Sequence, residues 1–257
     1  MSGVRTVAMT GSASGIGAAV RARLESDGCT VIGVDLRGQE VDADLSTVDG
    51  RRSAVEGVLS RTDDGTLDAV VACAGLGPQV ERHELIVSVN YFGAVAVLDG
   101  WLDALAGGRE PAAVAICSNS ISITPEHPGL VEILLEGDED AARDLAAEID
   151  GPTVYAMTKL ALGRALRRRV TAWAERRVRL NLVAPGPVYT PLFQGTLDDP
   201  VLGPLVDLLP VPMGRPSEPD EIAAPIAFLL SPESAMIHGS VLFVDGGSDA
   251  LLRSDHV

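Results

Sequence analysis

Tyr155-Ala156-Met157-Thr158-Lys159 carries a phenol and an ammonium four residues apart. On a helix that spacing puts both side chains on one face, stacked over successive turns. A free phenol titrates near pH ~10, too high for a base at neutral pH; an adjacent cation favours the phenolate and lowers that value. A tyrosine so placed is a general acid/base for an alcohol or a carbonyl. The same pair also occurs on ordinary solvated helix faces, so the rest of the chain has to decide what it is for.

Val4 to Met9 is a short apolar run that predicts a strand, and Ala18 to Leu24 predicts a helix. Between them lies Thr10-Gly11-Ser12-Ala13-Ser14-Gly15-Ile16-Gly17. Strand, glycine-rich turn and helix together describe a dinucleotide cradle: small residues admit a pyrophosphate, and the free N–H groups of the helix start favour its charge. Thr30 to Val34 predicts a second strand, ending on Asp35. A carboxylate at that tip accepts the adenosine ribose hydroxyls and repels a 2′-phosphate, which favours NAD over NADP, with Arg37 nearby as the one opposing charge.

The connection from Asp35 to Asp44 is too short for a crossover helix, so a brief third strand over Glu40 to Ala43 is expected. Asp44 then has two readings, N-cap of a helix from about Ser46 to Ser60 or contact with the adenine amino group. Leu67 to Cys73 reads as a buried strand and Glu84 to Leu105 as a long helix. Within that helix, Asn90 is disfavoured unless its side chain has a task. Pro111 to Cys117 is the next strand, with Ser118 at its carboxyl end, where open parallel sheets place their ligand crevice. The run Ser118-Asn119-Ser120-Ile121-Ser122 leaves open which serine faces that crevice.

Leu130 to Asp150 has helical periodicity, and its polar positions are nearly all acidic. An arginine-rich stretch, Arg164 to Arg179, follows the Tyr155/Lys159 pair, and some pairing between the two is expected. Val178 to Ala184 predicts a strand, and Pro185-Gly186-Pro187-Val188-Tyr189-Thr190-Pro191 a turn. Leu192 to Met213, apolar with few charges, suits either a lid over a hydrophobic ligand or a core helix. Pro219 to Leu230 reads as a helix, Ser240 to Val244 as a last strand, and Asp245-Gly246-Gly247 as a turn.

The 257 residues, 46% of them hydrophobic, suffice for one large α/β domain with a substantial core. No run approaches the ~18 uninterrupted apolar residues of a membrane span. Met1-Ser2-Gly3-Val4-Arg5 lacks a signal-peptide pattern. Cys29, Cys73 and Cys117 lack metal-ligand spacing and read as thiols buried in a reducing cytoplasm. A formal charge of -16 argues against nucleic acid and anionic membrane as partners.

Thr10-Gly-x-x-x-Gly-x-Gly17, Cys73-Ala74-Gly75, Asn90, Ser118, Tyr155-x-x-x-Lys159 and Pro185-Gly186 occur in the order found in the short-chain dehydrogenases/reductases. The chain resembles that family along essentially its whole length. Within it, Val34-Asp35-Leu36-Arg37, Ala43 to Thr47, Cys73 to Gln79 and Ser88 to Ala94 look most like its bacterial hydroxysteroid-oxidising, carbonyl-reducing members. The resemblance implies an α/β fold: a Rossmann-type, doubly wound parallel sheet forming a single domain over 1–257. A helical insertion over about 124–152 would precede the catalytic Tyr, and a substrate lid would span about 189–213.

It also implies an NAD site at Gly11, Ser14, Gly15, Ile16, Gly17, Asp35, Asp44, Leu45, Cys73, Ala74, Gly75, Tyr155, Lys159, Pro185, Gly186, Val188, Thr190 and Leu192, and no metal. Tyr155 would exchange the proton and Ser118 would hydrogen-bond the substrate oxygen. Lys159 would lower the tyrosine pKa and hold the nicotinamide ribose, and Asn90 would support a water-linked proton path. Cys73 replaces the family's usual Asn, and the Ser118-to-Tyr155 span is unusually long. The implied function is NAD-dependent interconversion of a hydrophobic, steroid-like secondary alcohol and its ketone, in a cytoplasmic homodimer or homotetramer. The alternatives are a 3-oxoacyl-type reductase and a non-catalytic NAD-binding regulator.

Overall fold

The computed structural model describes residues 4–206 and 208–255. Met1 to Gly3 of the N-terminal stretch, Asp207 of the Leu192–Met213 segment, His256 and Val257 lie outside the described residues. Among the described residues, seven parallel strands form one sheet in the order β3-β2-β1-β4-β5-β6-β7: β1 Thr6–Thr10, β2 Thr30–Asp35, β3 Val41–Asp42, β4 Ala69–Ala72, β5 Ala112–Ile116, β6 Arg179–Pro185 and β7 Val241–Val244. β4 and β5 are apolar at every position because both faces of the sheet are covered, as parallel sheets require. Alternation along each strand divides the core. Val70 and Ala72 of β4 face one apolar cluster, and Ala69 and Val71 face the other.

The fold is thus the expected α/β, doubly wound sheet. The strand order reverses between β1 and β4, so the crevice opens at their carboxyl ends. α1, Gly15–Ser26, packs against the helix Pro219–Leu230 on one face. α2, Val48–Leu59, and the helix His83–Ala106 cover the other. The short connection after Asp35 holds only the two-residue β3, paired in parallel with β2.

His83–Ala106 is the one described helix long and apolar enough to cross a bilayer. Trp101, Leu98, Leu105 and Val97 are instead fully buried in the core of this chain, which accounts for its apolarity. The helix is not uniform: Ser88–Gly93 is a π-helical segment with Asn90 inside it. Such wide turns accompany functional positions because they re-aim a side chain out of the regular ladder.

The acidic stretch is helical and folds as two helices. Pro128–Glu136 ends on Gly137, left-handed at φ 84°, and Glu139–Ala146 follows. Two of its acids are caps: Asp138 accepts from Ala141 N–H, and Asp150 accepts from Thr153 N–H to start the helix Gly151–Arg168. The expected pairing with the arginine-rich stretch does not form among the described residues. Arg164 binds Glu126, Arg169 binds Asp99 and Arg176 binds Asp103, whereas Glu139 of the insertion binds Arg51 of α2. Helix packing places Arg169 and Arg176 over the helix His83–Ala106 instead.

Asp44 is not the cap of α2 either. Thr47 is, its hydroxyl accepting from Gly50 N–H, while the Asp44 carboxylate accepts from Ser46 N–H one turn earlier. The chain turns once more before the helix begins, and Asp44 is left on the rim of the crevice.

Candidate active site

A cleft of about 580 Å³ runs along the carboxyl ends of β1, β2, β4, β5 and β6. Every expected cofactor residue lines it: Gly11, Ser14, Gly15, Ile16, Gly17, Asp35, Asp44, Leu45, Cys73, Ala74, Gly75, Pro185, Gly186, Val188, Thr190 and Leu192, with Tyr155, Lys159 and Ser118. Asn90 alone of the expected catalytic set lies behind the wall.

The glycine-rich turn is built for close approach. A Cβ on Gly17 would sit 1.8 Å from the Gly11 carbonyl oxygen, and one on Gly11 would sit 2.7 Å from the Ala74 backbone. Gly11 also adopts φ +68°, which favours glycine. Ser14 begins α1 without a side-chain cap, so no side chain occupies the first-turn N–H groups. Turn, helix start and cleft together fit a pyrophosphate. At the far end Asp35 has a second task not visible in its position: it accepts from Ala13 N–H at 3.0 Å and Leu36 N–H at 2.8 Å, tying the glycine-rich turn to the tip of β2. A carboxylate has further lone pairs, so acceptor capacity for a ribose remains.

The bonding role of Thr10 escaped the sequence reading. Its buried hydroxyl accepts from both Cys73 and Ala74 N–H at 3.2 Å, so Thr10 anchors the strand end where Cys73 replaces the usual Asn. The only sequence signal was a hydroxyl at the end of β1, opposite a neighbouring strand end. Burial pushes the Cys73 thiol up to about 12 and that of Cys117 to about 11, so both are poor nucleophiles.

The helix Gly151–Arg168 brings Tyr155 and Lys159 onto its inner face. Lys159 Nζ donates to the Ile116 carbonyl at 2.9 Å and lies 5.9 Å from the centre of the Tyr155 ring. Ser118 is the serine that meets the tyrosine: the two side chains hydrogen-bond, and Ser118 Oγ also accepts from Ser120 N–H at 3.1 Å. Ser122 is instead committed to Asp249, and Ser120 Oγ is buried in the wall with no hydrogen-bond partner among the described residues.

The electrostatic expectation for Tyr155 needs correction. Burial pushes its phenol above the ordinary 10.0, opposed by the Ser118 hydrogen bond. Burial also pulls the Lys159 ammonium below 10.5. Ser118 is therefore the group that favours the phenolate.

Asn90 clamps the loop after β4. Its Oδ1 accepts from Leu76 N–H at 2.7 Å and its Nδ2 donates to the Leu76 carbonyl at 3.0 Å. Gly75 fills the gap between Asn90 and Lys159: a Cβ there would lie 3.3 Å from Asn90 Oδ1 and 3.5 Å from Lys159 Nζ. The π-helical segment thereby fixes the floor under the ammonium. The mouth of the cleft is apolar, with Leu85, Val89 and Pro152 on one side and Phe193, Val206 and Leu209 on the other. Leu192 to Met213 is therefore not a core helix. Its helix Pro191–Asp198 buries no residue fully, and Leu205 and Met213 are exposed.

A family model described as enoyl-(acyl carrier protein) reductase matches residues 139–249. Over 251 residues the chain is 45% identical to a 3-alpha-hydroxysteroid dehydrogenase/carbonyl reductase of Comamonas testosteroni, covering 96% of this chain and 97% of that protein. It is 29% identical to a D-threitol dehydrogenase of Mycolicibacterium smegmatis, over 93% and 90% of the two chains. Among solved structures, that of the 3-alpha-hydroxysteroid dehydrogenase from Pseudomonas sp. B-0831 complexed with NADH superposes with a TM-score of 0.94. The identity is 48%, and the match covers 98% of this chain and 100% of that one.

Proposed function

The chain belongs to the short-chain dehydrogenase/reductase family, and from that premise we propose that it is an NAD-dependent 3α-hydroxysteroid dehydrogenase/carbonyl reductase. It would interconvert a hydrophobic secondary alcohol and its ketone. The observation that carries this reading is the apolar mouth of the cleft opening directly onto the hydrogen-bonded Ser118/Tyr155 pair. The names of the two similar hydroxysteroid dehydrogenases support the substrate class.

In this reading NAD supplies the hydride acceptor and, when reduced, the donor. The chain's own residues bind, orient and move the proton. Gly11 to Gly17 receive the pyrophosphate, Asp35 the adenosine ribose and Asp44 the adenine edge. Lys159 keeps two N–H donors beyond the one given to Ile116, and these hold the nicotinamide ribose. Ser118 donates to the substrate oxygen while Tyr155 takes the alcohol proton, or returns it to the carbonyl. The segment around 189–213 acts as the lid and excludes water from the transfer. The three free thiols support a cytoplasmic enzyme, and a homodimer or homotetramer is the assembly to test.

Purified protein is expected to reduce NAD with a 3α-hydroxysteroid such as androsterone, followed by absorbance. A panel in which short polyols react and no steroid does would overturn the substrate class. Replacing Asp35 by Ser should weaken NAD and narrow the preference over NADP by about tenfold or more, the scale of one lost charge-assisted hydrogen bond plus lost repulsion. Wild-type protein that already prefers NADP would refute the Asp35 assignment. The 3-oxoacyl alternative needs a basic dock for an acidic carrier, and Arg164, Arg169 and Arg176 are already paired with acids of this chain.

A further inference from the structure

The cleft has two walls. One is the loop after β4 with the start of the helix His83–Ala106; the other is the helix Pro191–Asp198. The Gln79 side chain crosses between them. Gln79 Nε2 donates to the Leu192 carbonyl at 3.3 Å, and its Oε1 accepts from Thr196 Oγ1 at 3.2 Å. The amide orientation follows from chemistry, because a backbone carbonyl only accepts.

Two glycines make room for the carboxamide. A Cβ on Gly77 would fall 2.2 Å from Gln79 Oε1, and one on Gly195 would fall 2.8 Å from Gln79 Nε2. Neither glycine has a positive φ, so backbone conformation does not call for glycine at either position. What both supply is space, one on each wall, around the same side chain. The helix that Gln79 reaches buries no residue fully and carries Leu192, Phe193 and Thr196 into the cleft. With so little core packing of its own, its position over the cleft depends on such tethers.

We infer that Gln79 is a positioning residue, a catch that holds the helix Pro191–Asp198 closed over the cleft and so sets how long reduced cofactor and ketone product stay bound. The inference rests on the proposed dehydrogenase reading for its kinetic consequence but not for its structural one. Both bonds are long and partly solvated, which suits a catch that must open on every turnover.

The test compares Gln79→Ala, which removes both bonds, and Gly195→Ala, which keeps Gln79 but displaces its carboxamide. Hydrogen exchange of the peptide spanning 191–198 is measured first, without any ligand. Exchange there is expected to quicken about three- to tenfold in both variants, with the sheet unchanged. Stopped-flow release of NADH is expected to quicken by a similar factor, and the substrate KM to rise more than kcat falls. The pH profile set by Tyr155 should not move. Unchanged exchange at 191–198 overturns the catch whatever the substrate proves to be. Faster exchange with unchanged NADH release overturns its role in retention. Absence of steroid turnover with faster exchange and faster NADH release overturns the substrate reading and leaves the catch standing.

Discussion

Tyr155→Phe is expected to lower kcat for alcohol oxidation by about 10²–10⁴-fold, the contribution of a positioned general acid/base. The ring is retained and its hydroxyl faces the cleft, so NAD affinity, read by fluorescence titration, should change by less than about threefold. The pH dependence has a fixed sign. Burial holds the proton on the phenol, so the base form is scarce at neutral pH. Oxidation by the wild-type enzyme should therefore accelerate as pH rises, while ketone reduction, which needs the protonated phenol, persists at lower pH. The variant should lose this dependence. Near-normal turnover in Tyr155→Phe, or a wild-type oxidation rate that falls as pH rises from neutral, would remove Tyr155 from the proton transfer.

Arg51→Ala is expected to destabilise the fold by about 3 kcal/mol, seen as a fall in Tm of about 6–12 °C. Arg51 is buried and ties three parts of the molecule together. Its Nη1 and Nη2 each reach the Glu139 carboxylate at 2.6 Å, its Nε donates to the Leu45 carbonyl at 2.8 Å, and Nη2 also reaches the Ser88 carbonyl at 3.1 Å. Removal leaves a half-buried carboxylate and two carbonyls short of a donor. Burial raises the Glu139 carboxyl, and the hydrogen bonds from Arg51 and Ser88 outweigh it, holding the group below 4.5. A depressed carboxyl contributes stability above its unfolded value and loses it as pH falls through the folded one. The difference in Tm between wild type and Arg51→Ala should therefore shrink below about pH 4.5. Arg51→Lys should recover only part of it, since an ammonium cannot make the forked contact. An Arg51→Ala protein as stable as wild type at pH 7 would show that the insertion is held elsewhere.

Local chemistry made the proposed cofactor half of the cleft readable. Gly11 to Gly17, Asp35 and Pro185-Gly186 each line it at a strand end, where residue type and spacing along the chain already state the geometry. Asn90 was marked by its misfit in a helix, although the π-helical turn that aims it depends on backbone pairing. The contacts of Thr10 and Gln79 were invisible because each acts on a partner distant in sequence. The acidic stretch was read as pairing with the arginine-rich one, whereas Asp138 and Asp150 cap helices and Glu139 grips Arg51.

The sequence by itself thus determined the family, the parallel sheet and the Tyr155/Lys159 pair on one helix face, because periods of two and four and the φ freedom of glycine are properties of neighbouring residues. The tertiary structure alone decided what surrounds that pair. Burial raises the tyrosine and lowers the lysine, Ser118 rather than Ser120 or Ser122 meets the phenol, and Asn90 and Gly75 set the floor beneath the ammonium. Desolvation and contact between distant strands are sums over the whole packed chain, and no window of sequence contains them.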